Sequence, residues 1–219
     1  MALCSRFLAT PLFLVGAIAV SAQESAPIVQ PGAPGQPGKH LTEVTVRAPS
    51  REAAKADVDF MQGMIMHHQQ AVDMVALLRT RVKSPALRSF GEKIAISQTD
   101  EIRFMKQWLE SRGKPTTMEM DHSHMSAADM KNMSMTMLMP GMLTPEQMTV
   151  LAKARGAQFD HLFLTGMIQH HGGALTMVDD LFKSPGAAQD PVLFDFATDI
   201  DNTQSAEIKI MREMLKEKP

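Results

Sequence analysis

The stretch DVDFMQGMIMHHQQAVDM, residues 57–74, returns as DHLFLTGMIQHHGGALTM at residues 160–177. At a constant offset of 103, Asp57, Phe60, Gly63, Met64, Ile65, His67, His68, Ala71 and Met74 match Asp160, Phe163, Gly166, Met167, Ile168, His170, His171, Ala174 and Met177. Phe60, Met64, His67, Ala71, Met74 and Leu78 step alternately by four and three residues, the period of one helix face. Phe163, Met167, His170, Ala174, Met177 and Leu181 do the same in the second copy. A histidine pair therefore falls on a core-facing stripe, one turn after a methionine, in each half of the chain.

The segment after each copy is repeated too. At an offset of 106, Phe90, Ile94, Gln98, Glu101, Ile102 and Met105 match Phe196, Ile200, Gln204, Glu207, Ile208 and Met211, so the second loop is three residues longer. Ser84-Pro85 and Ser184-Pro185 interrupt the pattern between the two stripes, because proline disfavours helix at the residue before it. Each half is thus a helical hairpin. Two amphipathic hairpins bury their stripes against one another, which predicts an all-α four-helix bundle over residues 50–217. The first hairpin spans 50–113, from a Ser50 N-cap to the stop at Gly113-Lys114-Pro115. A methionine-rich linker spans 114–143, and the second hairpin spans 144–217, opened by Thr144 as N-cap and Pro145 at the first helical position.

The flanking segments bear on location. Residues 1–22 read as a signal peptide, with Arg6 as the positive region, Phe7 to Val20 as the apolar region and Val20-Ser21-Ala22 before a cut at Gln23. The apolar run is too short for a comfortable membrane span. Cleavage removes Cys4, the sole cysteine, and leaves 21 Lys+Arg against 24 Asp+Glu. A chain so composed has no disulfide scaffold and no thiolate metal site. Its near neutrality gives no reason to expect nucleic acid or, after cleavage, a membrane surface. A periplasmic or secreted protein is expected. Residues 23–49 include SAPIVQPGAPGQPG (25–38), which reads as a disordered Pro/Gly-rich tether. Leu41 to Val46 alternates as a strand does but has no evident partner, so an extended arm is expected.

Loop lengths set which residues of a hairpin lie level. A first turn centred near residue 84 brings His67 level with Glu101, Met64 with Met105 and His68 with Gln98. A second turn centred near 188 brings His170 level with Glu207 and His171 with Gln204. Two readings of this constellation stand side by side. In one, a glutamate satisfies a core histidine and the pair merely fixes hairpin register. In the other, Met64, His67, His68 and Met105, with Met167, His170, His171 and Met211, offer imidazole and thioether to a soft or borderline cation. Such sets favour copper, Cu(I) especially, with Gln98, Glu101, Gln204 and Glu207 orienting the ligands from behind. The linker adds Met120, His122, His124 and Met125 within six residues, either a loose tether or a capture arm. Methionine is the soft ligand suited to an oxidising compartment. His40 and His161 have no such company and are expected at the surface.

Met64-Ile65-x-His67-His68-x-x-Ala71, together with Gln98-x-x-Glu101-Ile102-x-x-Met105, resembles the bacterial family catalogued as domain of unknown function 305. The resemblance covers about residues 51 to 217, in both halves. It implies a ferritin-like fold, export, and kinship with periplasmic copper-binding proteins linked to copper resistance. Carried onto this chain, it implicates Met64, His67, His68, Met105, Met167, His170, His171 and Met211. The second half has Gly172-Gly173 where the first has Gln69-Gln70, which predicts a looser helix and a weaker site there. A copper-binding or buffering protein, handing its ion to other periplasmic copper-handling proteins, is one expectation; a metal-free helical scaffold is the alternative. A di-metal oxidase would need Glu-x-x-His pairs on core helices. The only such pair, Glu119 to His122, lies in the linker, so no enzyme is expected.

Overall fold

The computed structural model describes residues 28–30, 39–41, 52–118 and 138–216. The expected signal peptide and the linker residues Met120, His122, His124 and Met125 lie outside the described residues. By their contacts, Met1–Ser50 and Arg51–Pro219 form separate units. In the first, β1 (Ile28–Gln30) pairs antiparallel with β2 (Lys39–Leu41), with Val29 opposite His40. Ile28–Gln30 lies within the expected tether and Leu41 opens the expected arm; the rest of both lies outside the described residues. Ile28 and Val29 are β-branched and strand-forming, a signal hidden among the surrounding prolines.

The second unit is all-α. Helix α1 (Lys55–Arg81) starts at Ala54, whose N–H donates to Asp57 Oδ2 at 3.2 Å. The N-cap thus falls four residues after the expected Ser50, with Asp57 supplying the capping oxygen. Helix α2 (Pro85–Glu110) is capped by Ser84, whose Oγ accepts from Leu87 N at 3.2 Å. Thr144 and Gln147 cap each other at the head of α3 (Pro145–Lys153). The expected third helix then breaks. Ala154 and Arg155 are extended, Gly156 takes a φ of +61°, and α4 (Gly156–Lys183) begins anew. Only glycine adopts that φ without cost. Helix α5 (Pro191–Lys216) completes the bundle.

Helix α1 packs on α2, α4 packs on α5, and the two hairpins meet chiefly through α1 and α4. The buried apolar residues form two clusters rather than one. The first gathers Phe60, Met64, Ile102, Met105, Met177, Leu181, Leu193 and Ile200. The second gathers Ala71, Met74, Ile94, Phe159, Phe163, Met167, Ile208 and Met211. Each wholly buried Phe, Met or Leu in these clusters contributes roughly 1.5–3 kcal/mol. Each cluster draws one end of all four long helices, so the core is divided at the middle of the bundle.

Contacts made by one repeat recur in the other with the partners exchanged. A Cβ placed on Gly63 would stand 3.3 Å from Met177 Cε, and one on Gly166 would stand 3.3 Å from Met74 Cε. Asp57 accepts from Ala188 N at 2.7 Å in the turn of the second hairpin. Its equivalent, Asp160, accepts from Lys83 N and Ser84 N at 3.0 and 2.8 Å in the turn of the first. Such exchange is the signature of a local twofold axis between the hairpins. Equivalent residues that touch each other must lie on it, and His67 and His170 do.

Candidate metal centre

The gap between the two apolar clusters is filled by polar side chains. His67, His68, His170 and His171 are all wholly buried. The His67 and His170 rings lie with centroids 3.7 Å apart, and His68 and His171 flank them at 6.3 and 6.2 Å. His68 Nε2 donates to Glu101 Oε2 at 2.6 Å, and His171 Nε2 donates to Glu207 Oε2 at 2.6 Å. Ser97 Oγ donates to the other oxygen of Glu101 at 2.8 Å. Gln98 and Gln204, one turn earlier on the same helices, are buried beside them.

The glutamates therefore take His68 and His171, not the His67 and His170 that register alone pairs with them. Loop length fixes height along a hairpin but not direction around a helix. Consecutive residues differ by about 100° in direction. His67 and His170 turn inward to the axis, and the next residue in each helix turns to the hairpin partner. Met64 and Met105 lie in one apolar cluster and Met167 and Met211 in the other, so the four expected thioethers flank the histidine layer. His161 is exposed, as expected.

The protonation pattern of the layer is set by its partners. His67 Nε2 faces Pro140 O at 3.0 Å, and His170 Nε2 faces the backbone carbonyl of His67 at 2.9 Å. A carbonyl or carboxylate oxygen only accepts, so in all four rings Nε2 carries the proton. All four Nδ1 atoms are buried with no hydrogen-bond partner among the described residues. Burial, reinforced by the neighbouring His68, pushes His67 down to about 3 despite the Pro140 bond. Burial, and then the repulsion a proton would meet beside the other three imidazoles, His67 foremost, hold His170 well below the usual imidazole range. Both rings are thereby held in the neutral form, with a lone pair on Nδ1. Burial drives the Glu101 carboxyl up, but the bonds from His68 and Ser97 and the His68 charge outweigh it and leave its pKa below the ordinary value.

The second half is not a plain copy of the first, and the cause is the end of the linker. Pro140 to Leu143 crosses the bundle at the histidine layer. Gln70 grips Leu143 twice, Nε2 to its carbonyl at 2.9 Å and Oε1 from its N–H at 2.7 Å. On α4 the linker touches backbone: a Cβ on Gly173 would meet Pro140 O at 1.8 Å and Gly141 Cα at 2.6 Å. Gln70 and Gly173 are equivalent positions put to different use, one holding the strap and the other making room for it. Sequence reasoning missed this strap; Pro140-Gly141, a turn-forming pair, was the signal available.

Among the described residues, no three His, Cys, Asp or Glu side chains come together as a metal-holding group. What the layer offers is buried imidazole nitrogen whose opposite ring nitrogen is held by an oxygen, the arrangement typical of a ligating histidine and its supporting partner.

The fold and the layer define the class: a duplicated all-α hairpin bundle with a buried histidine–carboxylate waist. The model of the family described as Domain of unknown function (DUF305) matches residues 57–215, and the chain belongs to that family. A DUF305 crystal structure from Streptomyces coelicolor, of a candidate secreted protein, is 30% identical with a TM-score of 0.61, covering 74% of this chain and 93% of that one. CopM, solved in Cu(I)-bound, Cu(II)-bound and Ag-bound forms, is 27% identical with a TM-score of 0.54, covering 73% of this chain and 95% of that one. An uncharacterised protein of Acanthamoeba polyphaga mimivirus is 33% identical over 69 residues, 32% of this chain and 45% of its own length. Among the described residues no helix is long and apolar enough to cross a membrane.

Proposed function

We propose that this chain is an exported copper-binding protein that holds its ion through histidine and methionine and acts as a buffer or carrier. The observation that carries the reading is the set of four buried Nδ1 atoms, unpartnered among the described residues, whose rings are fixed at Nε2 by oxygens. Kinship with CopM, whose structures contain copper and silver, supports the choice of ion. In this reading His67, His68, His170 and His171 supply nitrogen and Met64, Met105, Met167 and Met211 supply sulfur. Glu101 and Glu207 hold His68 and His171 in the ligating tautomer, Gln98 and Gln204 complete the polar layer, and bound copper would be kept from free redox exchange by its burial. Met120, His122, His124 and Met125 would form a first capture point, and other copper-handling proteins of the periplasm would receive the ion. Residues 1–22, read as a signal peptide, would deliver the chain to that compartment.

The scaffold reading keeps one observation in its favour: His68–Glu101 and His171–Glu207 each tie the two helices of a hairpin. Titrating the mature protein with Cu(I) and Cu(II) separately divides the two. Replacing all four histidines by glutamine is expected to lower copper stoichiometry while helical circular dichroism persists. Unchanged copper uptake with collapsed stability would establish the scaffold instead.

A further inference from the structure

A second feature lies away from the imidazoles. Gly63 sits on α1, and the three heavy atoms nearest the place where its Cβ would stand all belong to methionine. They are Met118 Cε at 3.3 Å, Met177 Cε at 3.3 Å and Met139 Sδ at 3.4 Å. These side chains come from the segment after α2, from the end of the linker and from α4. Met177 is buried, whereas Met118 and Met139 are half-buried, so the cluster has one face toward the core and one toward solvent. In the methyl-first side chains the sulfur is one bond behind, and terminal rotation exchanges methyl for sulfur lone pairs at little cost.

The local twofold axis provides an internal control. At Gly166, the equivalent of Gly63, Met74 stands where Met177 stands, also at 3.3 Å. The other two places are filled by Leu143, its Cδ2 at 3.1 Å and Cδ1 at 3.5 Å. Leucine fills such a gap as well as methionine does, so packing alone does not require sulfur at the first position. Among the three nearest atoms at each notch, one half of the duplicated bundle thus presents three methionines and the other presents one.

We infer that Met118, Met139 and Met177 form a soft-cation site of their own over Gly63, taking a monovalent ion such as Cu(I) or Ag(I). Thioether sulfur is neutral and polarisable, which selects monovalent soft ions over divalent ions that prefer oxygen or imidazole. The site is not repeated at the equivalent notch, because that notch carries Leu143. The inference rests on the copper reading only for the choice of ion, since its donors are not those of the histidine layer.

The test is titration of the mature protein with Ag(I) by calorimetry and with Cu(I) against a chromogenic chelator. The variant M118L/M139L/M177L conserves volume and is expected to lose about one equivalent of either ion while Cu(II) uptake is unchanged. Gly63→Ala keeps all three sulfurs but crowds them, and is expected to weaken Cu(I) binding on the order of tenfold; it stands in should the triple variant not fold. Wild-type stoichiometry and affinity in the folded triple variant would overturn the site and leave the histidine reading intact. A wild-type protein that takes Cu(II) but neither Ag(I) nor Cu(I) would also overturn the site, and would leave the histidine layer only a Cu(II) role. Ag(I) uptake that vanishes in the methionine variant, with all copper uptake indifferent to the histidines, would sink the histidine reading and keep this one.

Discussion

Neighbouring glycines of α4 are expected to respond in opposite directions to the same substitution. Alanine is favoured over glycine in a helix interior by about 1 kcal/mol. At Gly172 a new Cβ meets nothing within 4 Å, so Gly172→Ala should gain that amount. At Gly173 the new Cβ would stand 1.8 Å from Pro140 O and 2.3 Å from Pro140 C, both backbone, so the strap must lift. Lifting breaks the bond from His67 to Pro140 and both bonds between Gln70 and Leu143. At about 1 kcal/mol per bond, less the helix-propensity gain, the net loss is about 2 kcal/mol. That corresponds to a fall in Tm of roughly 4–8 °C for a domain of this size. Urea denaturation of the metal-free protein, monitored by circular dichroism, reads both variants. If Gly173→Ala is as stable as Gly172→Ala, the strap is not docked on α4 and the account of the asymmetric second half fails.

Glu101→Gln and Glu207→Gln each replace a charge-assisted bond to a buried imidazole by a neutral one; each is expected to cost about 1–2 kcal/mol. A urea midpoint unmoved in both would show the pairs to be energetically idle. The metal-free protein should also lose stability in acid in two stages. His67 stays neutral in the fold down to about 3 while its unfolded counterpart protonates near 6.5. Between those values the unfolded state binds more protons, so stability falls as pH drops, approaching about 1.4 kcal/mol per unit from this group alone. Glu101, whose folded pKa lies below 4.5, adds stability present above that value and lost as pH falls through the folded pKa. A urea midpoint that is flat between pH 7 and pH 5 would contradict the assignment of His67 as a buried neutral ring.

The duplication made most of this fold legible from sequence. Because each hairpin need only close on itself and then on its copy, periodicity and two Ser-Pro breaks suffice for four long helices. The same logic gave the height of the glutamates but not their azimuth, which is why His68 and His171 take the bonds that register assigns to His67 and His170. The break at Ala154-Arg155-Gly156 was illegible for a different reason. Alanine, lysine and arginine are good helix formers, and one glycine is tolerated inside a helix. Its left-handed φ is imposed by the need to turn α3 away before α4 enters the bundle. Gly172-Gly173 was visible as a departure from the repeat, but its meaning depends on where Pro140 lands, a contact between residues 33 apart that no local pattern encodes.

The cost of the histidine layer bears on why the chain carries it. Register needs only one buried pair in each hairpin, and His68–Glu101 and His171–Glu207 provide that. His67 and His170 add no bond between the helices of a hairpin, and they keep the two apolar clusters from joining; what they do add is one bond each, to Pro140 O and to the His67 carbonyl, about 1 kcal/mol apiece. Their Nδ1 atoms and the amides of Gln98 and Gln204 have no partner among the described residues. An unsatisfied buried polar atom costs about 1–3 kcal/mol, a sizeable fraction of a domain's total stability of roughly 5–15 kcal/mol. Apolar side chains of similar volume often stabilise such positions. Removing two unpartnered Nδ1 atoms and joining the apolar clusters outweighs the loss of those two bonds, so the double variant H67L/H170L should raise the urea midpoint of the metal-free protein and lower its copper uptake. That trade of stability for function is the mark of a site rather than of a structural device. A double variant that unfolds more easily would make the central rings part of the scaffold, and the copper reading would then have to stand on His68, His171 and the methionines alone.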